Sequence, residues 1–228
     1  MRSFPLRATL GAAALLVIAP AFSQAPARVR GTLTAIDHDS VTVTERDGRT
    51  LTLKTGPYTT YAYVVPSSSD AIKVNDFVGS AVKGPPSAMT AVELAIIPAN
   101  MRAGRISLYD WDPLPDPTAE HPSDITATSM TNGLVSSIET ETPEVTNTNI
   151  TNGIVSAKKS GAAGRTLTVT YDGGTKSFQI TVPPNAPIVR YVLSDPSAAT
   201  IGSVVMIKTN PGDQAGLVTI GKGATPPM

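Results

Sequence analysis

The stretch that decides the fold is Thr166-Leu-Thr-Val-Thr170, followed by Asp172-Gly173 and then Phe178-Gln-Ile-Thr-Val182. It echoes an earlier stretch, Ser40-Val-Thr-Val-Thr44, then Asp47-Gly48, then Leu51-Thr-Leu53. In both, apolar and polar residues alternate with the period of two that a half-buried strand requires. The Asp-Gly pair supplies a turn, because glycine accepts the positive φ of a tight primed hairpin. From Leu51 to Phe77 the two stretches align at a constant offset of 127: Leu51 matches Phe178, Leu53 matches Ile180, Tyr61 matches Ile188, Val74 matches Ile201, and Phe77 matches Val204. Apolar positions fall on apolar positions, as a shared inward face demands. The chain therefore reads as two copies of one small β unit.

Working outward, Gly31-Thr-Leu-Thr-Ala-Ile36 is the first strand of the first copy, and Tyr61 to Val65 is a later one. Asn75-Asp76 turns the chain, Phe77 and Val78 enter the core, and Met89 to Ile97 closes the unit. In the second copy, Ile201 to Ile207 and Leu217 to Ile220 take the last two places. About five short strands with turns every eight to twelve residues point to a small closed barrel. Closure also removes exposed edges. The expected architecture is all-β: two tandem five-stranded OB-like barrels, at 28–98 and 153–222, joined by a Pro-rich connector at 99–130.

A local duplication precedes the second copy. Thr131-Asn-Gly-Leu-Val-Ser-Ser137 recurs as Thr151-Asn-Gly-Ile-Val-Ser-Ala157. Residues 131–152 read as an insertion that forms a protruding loop or an extra edge strand. Residues 223–228 read as a frayed Gly/Pro tail.

The N-terminus has the form of a secretory signal. Arg2 and Arg7 give a positive start, Ala8 to Ile18 is apolar, and Ala21-Phe22-Ser23 offers small residues for cleavage after Ser23. The apolar run is well short of the ~20 residues that span a bilayer. The expected mature protein is periplasmic or secreted, with no transmembrane segment. Lys+Arg and Asp+Glu both number 18, and removing Arg2 and Arg7 leaves a slight acidic excess. No basic stripe suggests nucleic acid. There is no cysteine, so neither a disulfide nor a thiol nucleophile is available.

The connector carries the sole tryptophan, Trp111, within Leu108-Tyr-Asp-Trp-Asp-Pro-Leu-Pro-Asp-Pro117. Trp111 is expected either to pack between the barrels or to serve as a ligand platform with Tyr109 and Tyr61. Asp110, Asp112 and Asp116 are spaced like the first ligands of a calcium loop, but Leu114 and Pro115 stand where such a loop needs an oxygen ligand and glycine. His38 and His121 lie in separate turns. No nucleophile elbow, phosphate loop or dinucleotide fingerprint occurs. No catalytic residue, metal ligand or cofactor is expected. The partner is expected to be a protein, peptide or glycan of the cell envelope; the alternative is a small-ligand or metal-ion carrier.

An ordered set of further motifs carries a resemblance: Asn75-Asp-Phe-Val-Gly79, Met101-Arg102, Ser129-Met-Thr-Asn132, Val182-Pro-Pro-Asn-Ala-Pro-Ile-Val189 and the Pro-Pro-Met terminus. Together with the strands above, they resemble an uncharacterised family of exported proteobacterial proteins built from a repeated small OB-like β-barrel domain of unknown function. The resemblance covers nearly the whole mature chain. It implies the barrel fold and export, and no established activity. Some members bear the label "metal ABC transporter permease", which conflicts with the absence of any run long enough to span. Members carry a histidine in the strand closing the first barrel and another beside the tryptophan. Here those places read Glu93-Leu-Ala-Ile-Ile-Pro98 and Leu108-Tyr-Asp-Trp111.

Overall fold

The computed structural model describes residues 28–102, 108–140 and 164–227. The expected signal peptide and the second Thr-Asn-Gly copy lie outside the described residues. The first repeat contributes β1 (Arg28–Ile36), β2 (Ser40–Glu45), β3 (Thr50–Lys54), β4 (Thr60–Pro66), β5 (Phe77–Lys83) and β6 (Met89–Ile97). The Pro-rich connector holds three short strands, β7 (Leu108–Asp110), β8 (Leu114–Pro115) and β9 (Ile125–Thr126). The second repeat contributes β10 (Ser129–Thr140), β11 (Arg165–Tyr171), β12 (Lys176–Val182), β13 (Ile188–Ser194), β14 (Val204–Asn210) and β15 (Gln214–Gly221).

The fold is all-β, as expected, but the tandem arrangement is not. All strands except β8 and β9 join one mixed sheet of 13 strands. Within it the pairings close two rings of five. In ring one, β1 pairs with β2 and with β14, β2 with β3, and β14 with β15; Gln214 of β15 then meets Lys54 of β3 in parallel. In ring two, β10 pairs with β11 and with β5, β11 with β12, and β5 with β6; Ile180 and Thr181 of β12 then meet Met89 and Thr90 of β6 in parallel. Each ring takes three strands from one repeat and its last two from the other.

Burial says the same. One core packs Val29, Leu33, Val41, Val43 and Leu53 of the first repeat against Val205, Ile207, Val218 and Ile220 of the second. The other packs Val78, Leu94 and Ile96 of the first repeat against Val135, Leu167, Val169 and Ile180 of the second. Burying a side chain of this size contributes roughly 1.5–3 kcal/mol. The exchange therefore makes each core depend on contacts between the repeats.

The repeats obey one local chemistry. The β1–β2 ladder slips one residue between Leu33 and Ala35, and β10–β11 slips between Val135 and Ser137. The β5–β6 bulge at Ala81/Val82 recurs in β14–β15 at Lys208/Thr209, again 127 residues on. Asn75 and Gly202, also 127 apart, both hold a positive φ (72° and 88°). The turn around Gly202 docks on β1, where Gly202 N donates to Leu33 O and Leu33 N to Ser203 O. The turn around Asn75 docks on β10 in the same way, through Asn75 N to Val135 O and Val135 N to Asp76 O. These turns explain a misread pair. Val74 and Ile201 match as expected, but both point to solvent, 50% and 69% exposed, because the left-handed residue that follows each begins the turn into the strand.

Three other expectations are corrected. Ser129–Thr140, which holds the first Thr-Asn-Gly copy, is an inner strand of ring two and not a loop or edge. Gly133 there has the environment of Gly31 in β1: a Cβ on Gly133 would strike Thr170 O, and one on Gly31 would strike Thr44 O. Near the C-terminus, Pro226 and Pro227 are buried and Ala224 packs against the junction, so this end is anchored and not frayed. The Asp47-Gly48 turn has a positive φ at Gly48, whereas Asp172 and Gly173 are both positive, so the primed geometry belongs to the second copy. Among the described residues, no helix is long and apolar enough to cross a membrane.

Candidate functional site

The rings meet along β4 and β13, which pair antiparallel with Val64 opposite Tyr191. A third cluster fills this junction: Ala62, Val64, Ala81, Ala95, Met130, Val189 and Tyr191, with Tyr109, Trp111 and Leu114 of the connector against it. The connector spans the two rings. On the ring-two side, β7 pairs with Ser129–Thr131 of β10. Asp116, 1% exposed, accepts from Lys83 Nζ at 2.6 Å, from Thr118 N at 2.9 Å and Oγ1 at 2.6 Å, and from Thr126 Oγ1 at 3.2 Å. Burial opposes its charge, yet these donors outweigh it and hold the carboxyl down at about 2.

On the ring-one side, Asp112 takes both arginines of β1. Arg28 donates from Nε at 2.9 Å and Nη2 at 2.8 Å, and Arg30 from Nη1 at 2.8 Å. The Arg28 and Arg30 hydrogen bonds hold the Asp112 carboxyl at about 2 against partial burial. Arg28 also lies over the Trp111 ring, 3.8 Å from its centroid, in cation–π contact. Tyr109 meets Trp111 edge-on at 5.8 Å.

Beside this bridge is a cleft of about 730 Å³, within the range of small-molecule sites. Arg30, Arg46, Glu45 and Glu93, with several threonines, supply its polar lining; Leu114, Pro115, Pro117, Pro187, Val204 and Pro226 are among its apolar walls. The strands dictate this arrangement. Val29, Gly31 and Leu33 face the ring-one core, so alternation sends Arg28, Arg30 and Thr32 outward to the junction. Glu93 comes from β6 of ring two, next to the Ala81/Val82 bulge. Tyr191 lies close enough to both to feel their charges, and burial pushes its phenol up to about 12. Arg30 Nε and Nη2 are buried and make no hydrogen bond.

Of the three aromatic residues expected to contact a partner, Tyr109 and Trp111 come together at the junction. Tyr61 does not join them; it is 7% exposed within the ring-one core. Trp111 packs between the rings, the first of the two roles expected of it. The acidic trio does not converge, since Asp112 and Asp116 are committed to opposite rings. Among the described residues no cluster of three or more His, Asp or Glu could hold a metal ion. His38 and His121 are both exposed, in separate turns. The sequence reading missed Arg28, Arg30 and Glu93. Two arginines alternating about Val29, and one acid inside the apolar run Met89–Ile97, were the available signals.

No family model, no curated protein and no solved structure matches the chain.

Proposed function

We propose that the protein is an exported, non-enzymatic binding protein that carries a small ligand in the cleft between its rings. The cleft itself carries this reading: a concave volume of about 730 Å³ where polar groups of both rings converge under an apolar connector. A flat apolar patch would instead favour a protein or peptide partner. Each ring, on this reading, is an OB-like barrel with strands in the order 1-2-3-5-4-1, its last two strands lent by the other repeat. The antiparallel pairings, with one parallel contact between third and fifth strands, support that assignment. Export rests on the N-terminal residues, and the proposed address is the periplasm or the exterior.

Native mass spectrometry of the protein taken from its own cell envelope tests this. A mass for residues 24–228 with a reproducible small-molecule adduct is expected, and Val204→Trp, which fills the cleft wall, removes the adduct. A chain that arrives with protein partners and no adduct contradicts the carrier reading.

A further inference from the structure

We infer that the ligand of this cleft is a small organic carboxylate with a hydrocarbon body, gripped by the unpaired Nε–Nη2 edge of Arg30. This deepens the reading of the cleft as a binding site and rests on it.

Charge comes first. Two guanidinium groups, Arg28 and Arg30, share one carboxylate, Asp112. This face of β1 therefore keeps one positive charge after its ion pairs are made. Geometry says where that charge is available. Arg28 grips both Asp112 oxygens with Nε and Nη2, the planar edge suited to a carboxylate. Arg30 reaches Asp112 with Nη1. Its own Nε and Nη2, the corresponding edge, are buried with no hydrogen bond. Two buried donors without acceptors are costly, and a bound carboxylate satisfies both at once.

The remaining lining narrows the class. Glu45 and Glu93 share the cleft with Arg30 and Arg46, and Glu45 is itself paired with Arg49 at 3.0 Å, so the lining offers the ligand room for one ion pair at Arg30 and no large excess of positive charge. Leu114, Pro115, Pro117, Val204 and Pro226 offer an apolar wall, which fits a carboxylate with a hydrocarbon body.

Internal symmetry shows that the fold does not need these charges. By strand register, Met130 and Asn132 of β10 stand where Arg28 and Arg30 stand in β1, and Leu217 of β15 stands where Glu93 stands in β6. On that side Met130 is 4% exposed and Leu217 packs against the junction. The same three positions are thus filled by uncharged residues in one half and by charged ones around a cleft in the other.

The test is isothermal titration of the mature protein with hexanoate and benzoate, with hexanamide, benzamide, succinate and inorganic phosphate as comparators, alongside amide chemical-shift mapping. The expected result is binding of a carboxylate with a hydrocarbon body, with shifts at Thr32, Glu93 and Val204. Arg30→Gln should weaken it at least tenfold, and Arg30→Lys, which keeps the charge without the fork, should also weaken it. Circular dichroism checks that both variants fold. Equal binding of the amides, of phosphate or to Arg30→Lys overturns the carboxylate assignment and leaves the cleft reading standing. No shift at any cleft residue with any probe at 10 mM overturns both.

Discussion

Val64 and Tyr191 occupy the same place in the two repeats, and they pair with each other across β4 and β13. A residue facing its own counterpart marks a twofold relation, and here it lies inside one chain. Each repeat sends its fifth and sixth strands past this axis to finish the other's ring. A single repeat therefore cannot close a ring of its own in this arrangement. Residues 24–102 expressed alone should run as an exchanged dimer or remain unfolded, by light scattering and circular dichroism. A folded monomer of that length would contradict the exchange.

Gly31 and Gly133 test the symmetry locally. Each sits beside a ladder slip, where an added Cβ would meet the backbone oxygen of Thr44 or Thr170. Backbone cannot move aside as a flexible side chain can. Gly31→Ala and Gly133→Ala should each cost about 3 kcal/mol in denaturant unfolding. A change below ~1 kcal/mol at either site would show that the close approach is absent.

Acid stability tests the connector. The Asp116 carboxyl titrates at about 2 in the folded chain, below its ordinary 3.8. A depressed carboxylate stabilises the fold above its unfolded value, and that contribution is lost as pH falls through the folded value. Between pH 5 and pH 2, stability should fall by about 2 kcal/mol through this group. Asp112, also held at about 2, loses stability in the same window, but less, because its side chain is 38% exposed. Asp116→Asn should unfold more easily at pH 7 and match the parent near pH 2. A constant gap at both pH values would contradict the ion-pair account.

The strands themselves were legible. Alternation placed Leu33, Val41, Val43 and Leu53 inside, and they are fully buried. Partner choice was not legible, for a physical reason. Alternation records which face of a strand is inward and says nothing about which ring receives it. Two repeats with the same pattern offer equally suitable inner faces, so β14 fits beside β1 as well as β5 would. The turns at Asn75 and Gly202 dock in the same way on β10 and β1, so they are equally blind to the choice; the exchange shows instead in the pairing of the crossing strands β4 and β13. The site followed the same logic. Trp111 stood out as the sole tryptophan, but the cleft depends on Arg30 of ring one meeting Glu93 of ring two, and these converge only through the exchange.

The most direct test uses the chain's lack of cysteine. Leu33 N donates to Ser203 O, so the adjacent pair, Thr32 of β1 and Val204 of β14, is a non-hydrogen-bonded pair with close side chains. That spacing suits a disulfide. In Thr32→Cys with Val204→Cys, oxidation should close one bridge within a monomer, read by intact mass and peptide mapping. Free thiols in the folded chain, or a bridge found only between two chains, would contradict the exchange of strands within one molecule on which the cleft depends.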